Sequence, residues 1–166
     1  MLDQIIARLT RMVSFDHTVY REIAQDDDAT LQAAAIIVVA AVASAIGSAI
    51  IARSFWAFLY TLFIQVPLGW LIWSGLVYLV GTKLFTGQGT FMGVLRVLGY
   101  TTAPAVLGLL VVIPCLGWIA SLVGAVLSLV LGFFAIRETL ELTSEKAVLT
   151  IVIGWVLRLV IGMIGI

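Results

Sequence analysis

Charge is scarce in this chain: Asp, Glu, Lys and Arg make up 11% of its 166 residues, where a soluble domain carries about a quarter. Nine Lys and Arg balance nine Asp and Glu, so no basic excess points to nucleic acid or a strongly anionic partner. The single cysteine, Cys115, and the single histidine, His17, cannot build a disulfide framework or a zinc site from the side chains of one chain. Residues 1–14 are charged at Asp3, Arg8 and Arg11, lack the uninterrupted apolar core of a secretory signal, and are read as mature protein. Glu138, Glu141 and Glu145 fall in one polar loop, and no histidine, second cysteine or serine motif accompanies them within a span. No glycine-rich phosphate loop follows a strand, because no strand is expected. The expectation is no catalytic residue, no metal ligand, no cofactor and no enzymatic activity.

What the sequence has in quantity is apolar surface. Apolar residues make up 63% of the chain and the mean hydropathy is +1.20. A soluble domain this small could not hide so much of it from water, whereas lipid removes the problem at about 20 apolar residues per helical span. The expected fold is all-α: a polytopic transmembrane helix bundle of about five spans, near residues 31–52, 56–80, 91–113, 118–136 and 147–165. Residues 1–28 are expected to form short amphipathic helices on the cytoplasmic side, and residues 29–166 the bundle.

Leu2, Ile5, Ile6, Leu9, Met12 and Val13 recur at three- and four-residue spacing, with Gln4, Arg8 and Arg11 assigned to the opposite side. Such a helix suits the headgroup region of a bilayer or packing on the rest of the protein. Asp16 is placed to cap a second short helix through Thr18, Tyr20 and Glu22. The run Asp26, Asp27, Asp28 matches no spaced calcium loop and reads as a solvated turn whose last acid caps the first span. Residues 81–89 read as a loop, after which Thr90 caps a helix beginning at Phe91. That helix carries Arg96, Tyr100, Thr101 and Thr102 before Pro104, which predicts a third span kinked at the proline, or an interfacial helix followed by a re-entrant piece. Residues 114–117 make a tight turn, and the polar stretch 137–146 separates the last two spans.

Basic residues set the expected orientation, because cytoplasmic flanks retain Lys and Arg. With the amino terminus inside, Arg8, Arg11, Arg21, Lys83, Arg96, Arg137 and Lys146 lie on the cytoplasmic side and Arg53 flanks the other. The carboxyl end then lies outside, and the bilayer is the first partner.

Helices in lipid associate through close backbone approach and polar contacts. Gly117, Ser121, Gly124, Ser128 and Gly132 form such a seam in the fourth span; Ala41, Ala45 and Ala49 form one in the first, beside Ala43 and Gly47. Gly154 and Gly162 flank Arg158 by four residues on either side. These seams meet either another span or a second protomer. Arg158 either snorkels to the outer interface or turns inward, because a charge within a span costs at least about 2.5 kcal/mol. Gln65 beside Pro67, and Tyr100 beside Pro104, put hydrogen-bonding groups next to proline-freed carbonyls, which is either a tolerated kink or the lining of a ligand site.

Four segments carry a family likeness: Tyr20-Arg21-Glu22-Ile23-Ala24; Asp28-Ala29-Thr30-Leu31-Gln32-Ala33; Trp73 to Leu84 running into Gly87 to Phe91; and Gly99-Tyr100-Thr101-Thr102-Ala103-Pro104. In order and spacing they resemble the bacterial branch of the Yip family, the Ypt/Rab-interacting membrane proteins. The resemblance covers most of the chain and implies a five-span protein with a cytoplasmic amino terminus, placed in a bacterial inner membrane. In eukaryotic relatives it would imply vesicle traffic between endoplasmic reticulum and Golgi, binding of prenylated small GTPases and association with sister proteins. This chain lacks their long cytosolic extension and its Asp-Leu-Tyr-Gly-Pro element, so the resemblance does not carry small-GTPase binding over. For a bacterial member the family name describes a fold more than a task; the amphipathic start, the packing seams and the absence of catalytic groups point to a non-enzymatic Yip-like protein that organises membrane or partner proteins, as a homo-oligomer or with another membrane protein. The alternative from a different class is a small transporter, channel or lipid-translocating protein using broken spans two and three.

Overall fold

The computed structural model describes residues 1–112 and 116–163, and among these no strand occurs. Two short helices, α1 (Leu2–Val13) and α2 (Thr18–Gln25), precede a set of long apolar ones. Four helices are long and apolar enough to cross a bilayer: Ala29–Ala52, Phe55–Leu84, Ile119–Thr139 and Ser144–Met163. They are the first, second, fourth and fifth spans, and the third is built from shorter pieces. Only the two residues Arg53 and Ser54 separate the first span from the second, and Arg53 takes the left-handed conformation that lets the chain reverse there.

The second span outlasts its expected end. Residues 81–84, expected as loop, continue the helix, and the loop is 85–90. The cause is packing: Gly81 lies so close to the residue just beyond the fourth span that a Cβ there would collide with the Leu140 side chain. The same helix carries wide π turns at Thr61–Gln65 and Val80–Leu84. The first ends two residues before Pro67, whose ring would otherwise meet the carbonyl of Phe63.

The third span is neither a continuous helix kinked at Pro104 nor an α-helix throughout. An α-helix, Phe91–Tyr100, starts at Thr90, whose hydroxyl accepts the Gly93 N–H at 3.0 Å as expected. It stops at Tyr100, the residue whose carbonyl the Pro104 ring would strike in a continued helix. The Thr101 and Thr102 hydroxyls then donate to the carbonyls of Leu98 and Gly99 at 2.8 and 2.6 Å, satisfying groups the break leaves free. The chain resumes as a 3-10 segment, Ala103–Val112. At about 1.5 and 2.0 Å rise per residue the two pieces together reach roughly 35 Å, enough for the hydrocarbon layer.

The fourth span runs to Thr139 and the fifth begins at Ser144, so the expected polar loop shrinks to residues 140–143. Glu138, expected in a solvated loop, is therefore helical and its side chain is only 12% exposed, held between Arg21 at 3.3 Å and Arg137 at 2.7 Å. The turn expected at 114–117 and the last residues of the fifth span lie outside the described residues in part, Cys115 among them.

The N-terminal helices, the 85–90 loop and the 140–143 loop gather at one end. Gln88 N–H donates to the Leu140 carbonyl at 2.9 Å, and Arg21 reaches Glu138. Met12, Val19, Tyr20, Ile23, Ala33, Val97, Tyr100 and Leu140 form a buried cluster there. Around the rest of the bundle large apolar side chains face outward, among them Val38, Phe63, Val126, Trp155 and Leu159. This is the surface a bilayer covers, and the chain is an integral membrane protein.

Candidate functional site

The densest polar arrangement forms where α1 and α2 meet the start of the first span and the last turn of the Phe91–Tyr100 helix. Arg8 interrupts the apolar stripe of α1, three residues after Ile5 and four before Met12, and all three are buried. This corrects the expectation that Arg8 lies opposite the apolar face. Its guanidinium donates to Gln32 Oε1 at 2.9 Å and to Asp26 at 2.5 Å, with Glu22 at 3.4 Å. Gln32 also accepts the Tyr100 hydroxyl proton and donates its amide to Gln4 at 3.2 Å. Both Gln32 and Tyr100 are buried, so each of these bonds replaces one that water would otherwise make.

A second arginine closes the other side. Arg96, also buried, donates to Thr30 Oγ1 at 2.7 Å, to the Ala24 carbonyl at 3.1 Å and to Asp27 at 2.5 Å. The acidic run is thus more than a solvated turn: Asp26 and Asp27 are the anchors for two arginines. The expected role of Asp28 is taken otherwise, since its side chain makes no capping bond and its N–H is held by Asp26 at 3.0 Å. Asp16 does accept the Thr18 N–H, at 3.0 Å.

Electrostatics follow the geometry. Burial pulls the Arg8 guanidinium down, but the neighbouring Tyr100 hydroxyl oxygen and the bond to Asp26 outweigh that and raise it above its ordinary value. Hydrogen bonds from Thr18 and Arg11 hold the Asp16 carboxyl down at about 2. Arg11 lowers Glu22, and Arg8 lowers Asp26. Burial, followed by the nearby Glu138 charge, pushes the Tyr20 phenol up to about 12; its hydroxyl finds no partner among the described residues. Chemically the cluster is a clasp: the donors of Arg8 and Arg96 are spent on this chain's own carboxylates, the Gln32 amide oxygen, the Thr30 hydroxyl and the Ala24 carbonyl.

The expected site residues do not converge. Tyr100 belongs to the clasp. Gln65 is exposed and accepts from Thr61 at 3.1 Å, which in turn accepts from Ser48 at 3.0 Å, so it continues a short polar link between the first two spans. Arg158 is exposed on the fifth span and lies along the second, 3.4 Å from where a Cβ on Gly69 would stand. Pro104 packs on the fourth span, where a Cβ on Gly124 would come within 2.9 Å of its carbonyl oxygen.

Of the small-residue seams, Gly124 marks this close approach, and Ser121 and Ser128 line a cleft of about 220 Å³ with Pro104. Ala41, Ala43, Ala45 and Gly47 are buried in the first span. Gly154 packs on Trp73, whose ring lies 3.2 Å from where a methyl group on this glycine would stand, whereas a methyl group on Gly132 or Gly162 would meet nothing outside its own helix backbone within 4 Å among the described residues. The surroundings of Gly117 lie outside the described residues. Among the described residues no three His, Cys, Asp or Glu side chains are grouped to hold a metal ion.

Sequence reading missed Arg8, Gln32, Arg96, Asp26 and Asp27. One signal was available: Arg8 occupies a position between two apolar residues of its own stripe, and Gln32 stands in the first turn of a span, where a polar group needs a partner. Among known proteins, residues 14–166 match the family model described as the Yip1 domain. No curated protein and no solved structure matches the chain.

Proposed function

The chain belongs to the Yip family, and from that premise we propose that it is a non-enzymatic integral membrane protein that organises membrane or partner proteins. In this reading residues 1–28 form a cytoplasmic cap and residues 29–166 the bundle; the carboxyl end lies outside, in a bacterial inner membrane. The gathering of Arg8, Arg11, Arg21, Arg96 and Arg137 at one end supports that orientation, because the cytoplasmic side retains basic residues. The observation that carries the organising role is a set of three open glycines on spanning helices: a Cβ on Gly75, Gly132 or Gly162 would meet no other part of the protein within 4 Å among the described residues, and open small-residue surface invites another helix. The occupant is a second copy or another membrane protein; small-GTPase binding is not part of the proposal. Cross-linking in native membranes, followed by mass measurement of the purified protein, tests it. A homo-oligomer or a defined membrane partner is expected, and a monomer without partners in both experiments would remove the reading's support.

One observation favours a second reading. The break after Tyr100 leaves a cleft beside Pro104, Ser121 and Ser128, and Arg158 stands unburied in the fifth span, which suits a small transporter, channel or lipid-translocating protein attracting an anionic group. Flux of ions, solutes or lipids in reconstituted liposomes separates the two. Rates equal to those of empty liposomes count against transport.

A further inference from the structure

The docking of α1 leaves half of its apolar surface unused. Ile5, Arg8 and Met12 are buried against the protein, while Leu2, Ile6 and Val13 are 68%, 61% and 50% exposed. At about 100° per residue these two groups are neighbouring sectors of a single apolar arc, with half-buried Leu9 between them. Asp3, Ala7, Thr10 and Ser14 occupy the side facing away. A helix packed on a protein in water keeps one apolar sector and buries it. A helix seated in a corner between protein and lipid keeps two adjoining ones.

The height of α1 identifies the second surface. Gln4 and Arg8 both bond to Gln32, in the first turn of the first span, so α1 lies at the level where that span enters the hydrocarbon. Beside Gln32, Leu31 is 68% exposed and begins the lipid-facing surface continued by Val38 and Val39. We propose that α1 is a wedge between bundle and bilayer, with Leu2, Ile6 and Val13 inserted at the acyl-chain boundary of the leaflet at the Ala29 end. The proposal holds whether or not the protein organises partners.

Charge fixes the kind of insertion. Interfacial helices commonly use free Lys and Arg to reach anionic headgroups. Here residues 1–28 carry three arginines against six carboxylates, and Arg8 and Arg11 are both engaged by Asp16, Glu22 and Asp26. The wedge is therefore held by apolar burial, and anionic lipid is not needed.

Spin labels test this on the full chain, reconstituted in the Cys115→Ser background. Ile6→Cys and Val13→Cys probe the wedge, and Thr10→Cys the side facing water. In phosphatidylcholine vesicles the first two labels should be accessible to oxygen and shielded from a water-soluble nickel complex, with an accessibility ratio several-fold above that at Thr10→Cys. The ratio should stay the same when a third of the lipid is phosphatidylglycerol. Nickel access equal to that at Thr10→Cys would overturn the proposal, as would shielding from both reagents, which would place a second copy or partner on this face. Insertion seen only with anionic lipid would overturn its apolar origin.

Discussion

The two ends of this molecule are held by different physics. At the cap, where water is the alternative, Met12, Val19 and Ile23 are fully buried, and removing each such side chain from water is worth about 1.5 to 3 kcal/mol. Arg8 and Arg96 then fix the register through bonds of 2.5 to 3.1 Å to carboxylates, a carbonyl, a hydroxyl and Gln32. Midway through the bilayer that driving force vanishes, because lipid is as apolar as the side chains. There the 3-10 segment and the fourth span meet through Gly124 and a proline carbonyl, and the second and fifth through Gly154 and Trp73. One region should respond to pH and to loss of charge, and the other to volume.

The largest effect is expected where volume decides. Gly124→Leu drives a side chain into the Pro104 carbonyl, which is backbone and cannot step aside, and should cost about 3 kcal/mol by overpacking. Thermal unfolding in detergent should show the loss, equal at pH 7 and pH 4.5. Next, Arg96→Met removes three bonds from a buried arginine while keeping its length, and should cost about 2 kcal/mol. Its unfolding should become less cooperative, with α2 released before the spans, as followed by proteolysis between α2 and the first span.

Acid sharpens the contrast further. Asp16, Glu22 and Asp26 are more acidic folded than unfolded, so the unfolded cap takes up protons more readily. Their contribution is fully present above the ordinary carboxylate range near pH 4 and is lost as the pH falls toward about 2, the value to which Asp16 is held. Cap proteolysis should therefore accelerate between those limits, with span helicity unchanged by circular dichroism. The smallest effect belongs to Gly132→Ala. With no neighbour among the described residues within 4 Å of the new methyl, the monomer should gain up to about 1 kcal/mol from helix propensity. Weaker self-association in the same variant would locate the protomer contact on that face.

Much of the bundle was legible because hydropathy over some twenty residues is a summed signal, and no tertiary contact is needed to read it. The N-cap at Thr90 was legible too, being local. What escaped was long-range. The helix through residues 81–84 depends on Gly81 fitting against Leu140, nearly 60 residues on. The early stop at Tyr100 follows from a proline four residues later, whose effect reaches backward along the helix. Of the candidate residues, Tyr100 was singled out for its nearness to Pro104, yet its partner is Gln32 in another span. Arg8 was misplaced because a polar residue on an apolar stripe reads as a flaw in the pattern until its partners, 14 to 24 positions away, are known.

Arg8 locks the cap onto the bundle through Gln32, Asp26 and Glu22. Amide hydrogen exchange of the full chain in lipid nanodiscs, native against Arg8→Met, tests it most directly. Exchange through α1 and α2 should be slow in the native protein and faster by at least about tenfold in the variant (a loss of about 1.4 kcal/mol or more), with unchanged protection in the fourth and fifth spans. Equal exchange of α1 and α2 in the two proteins would contradict it.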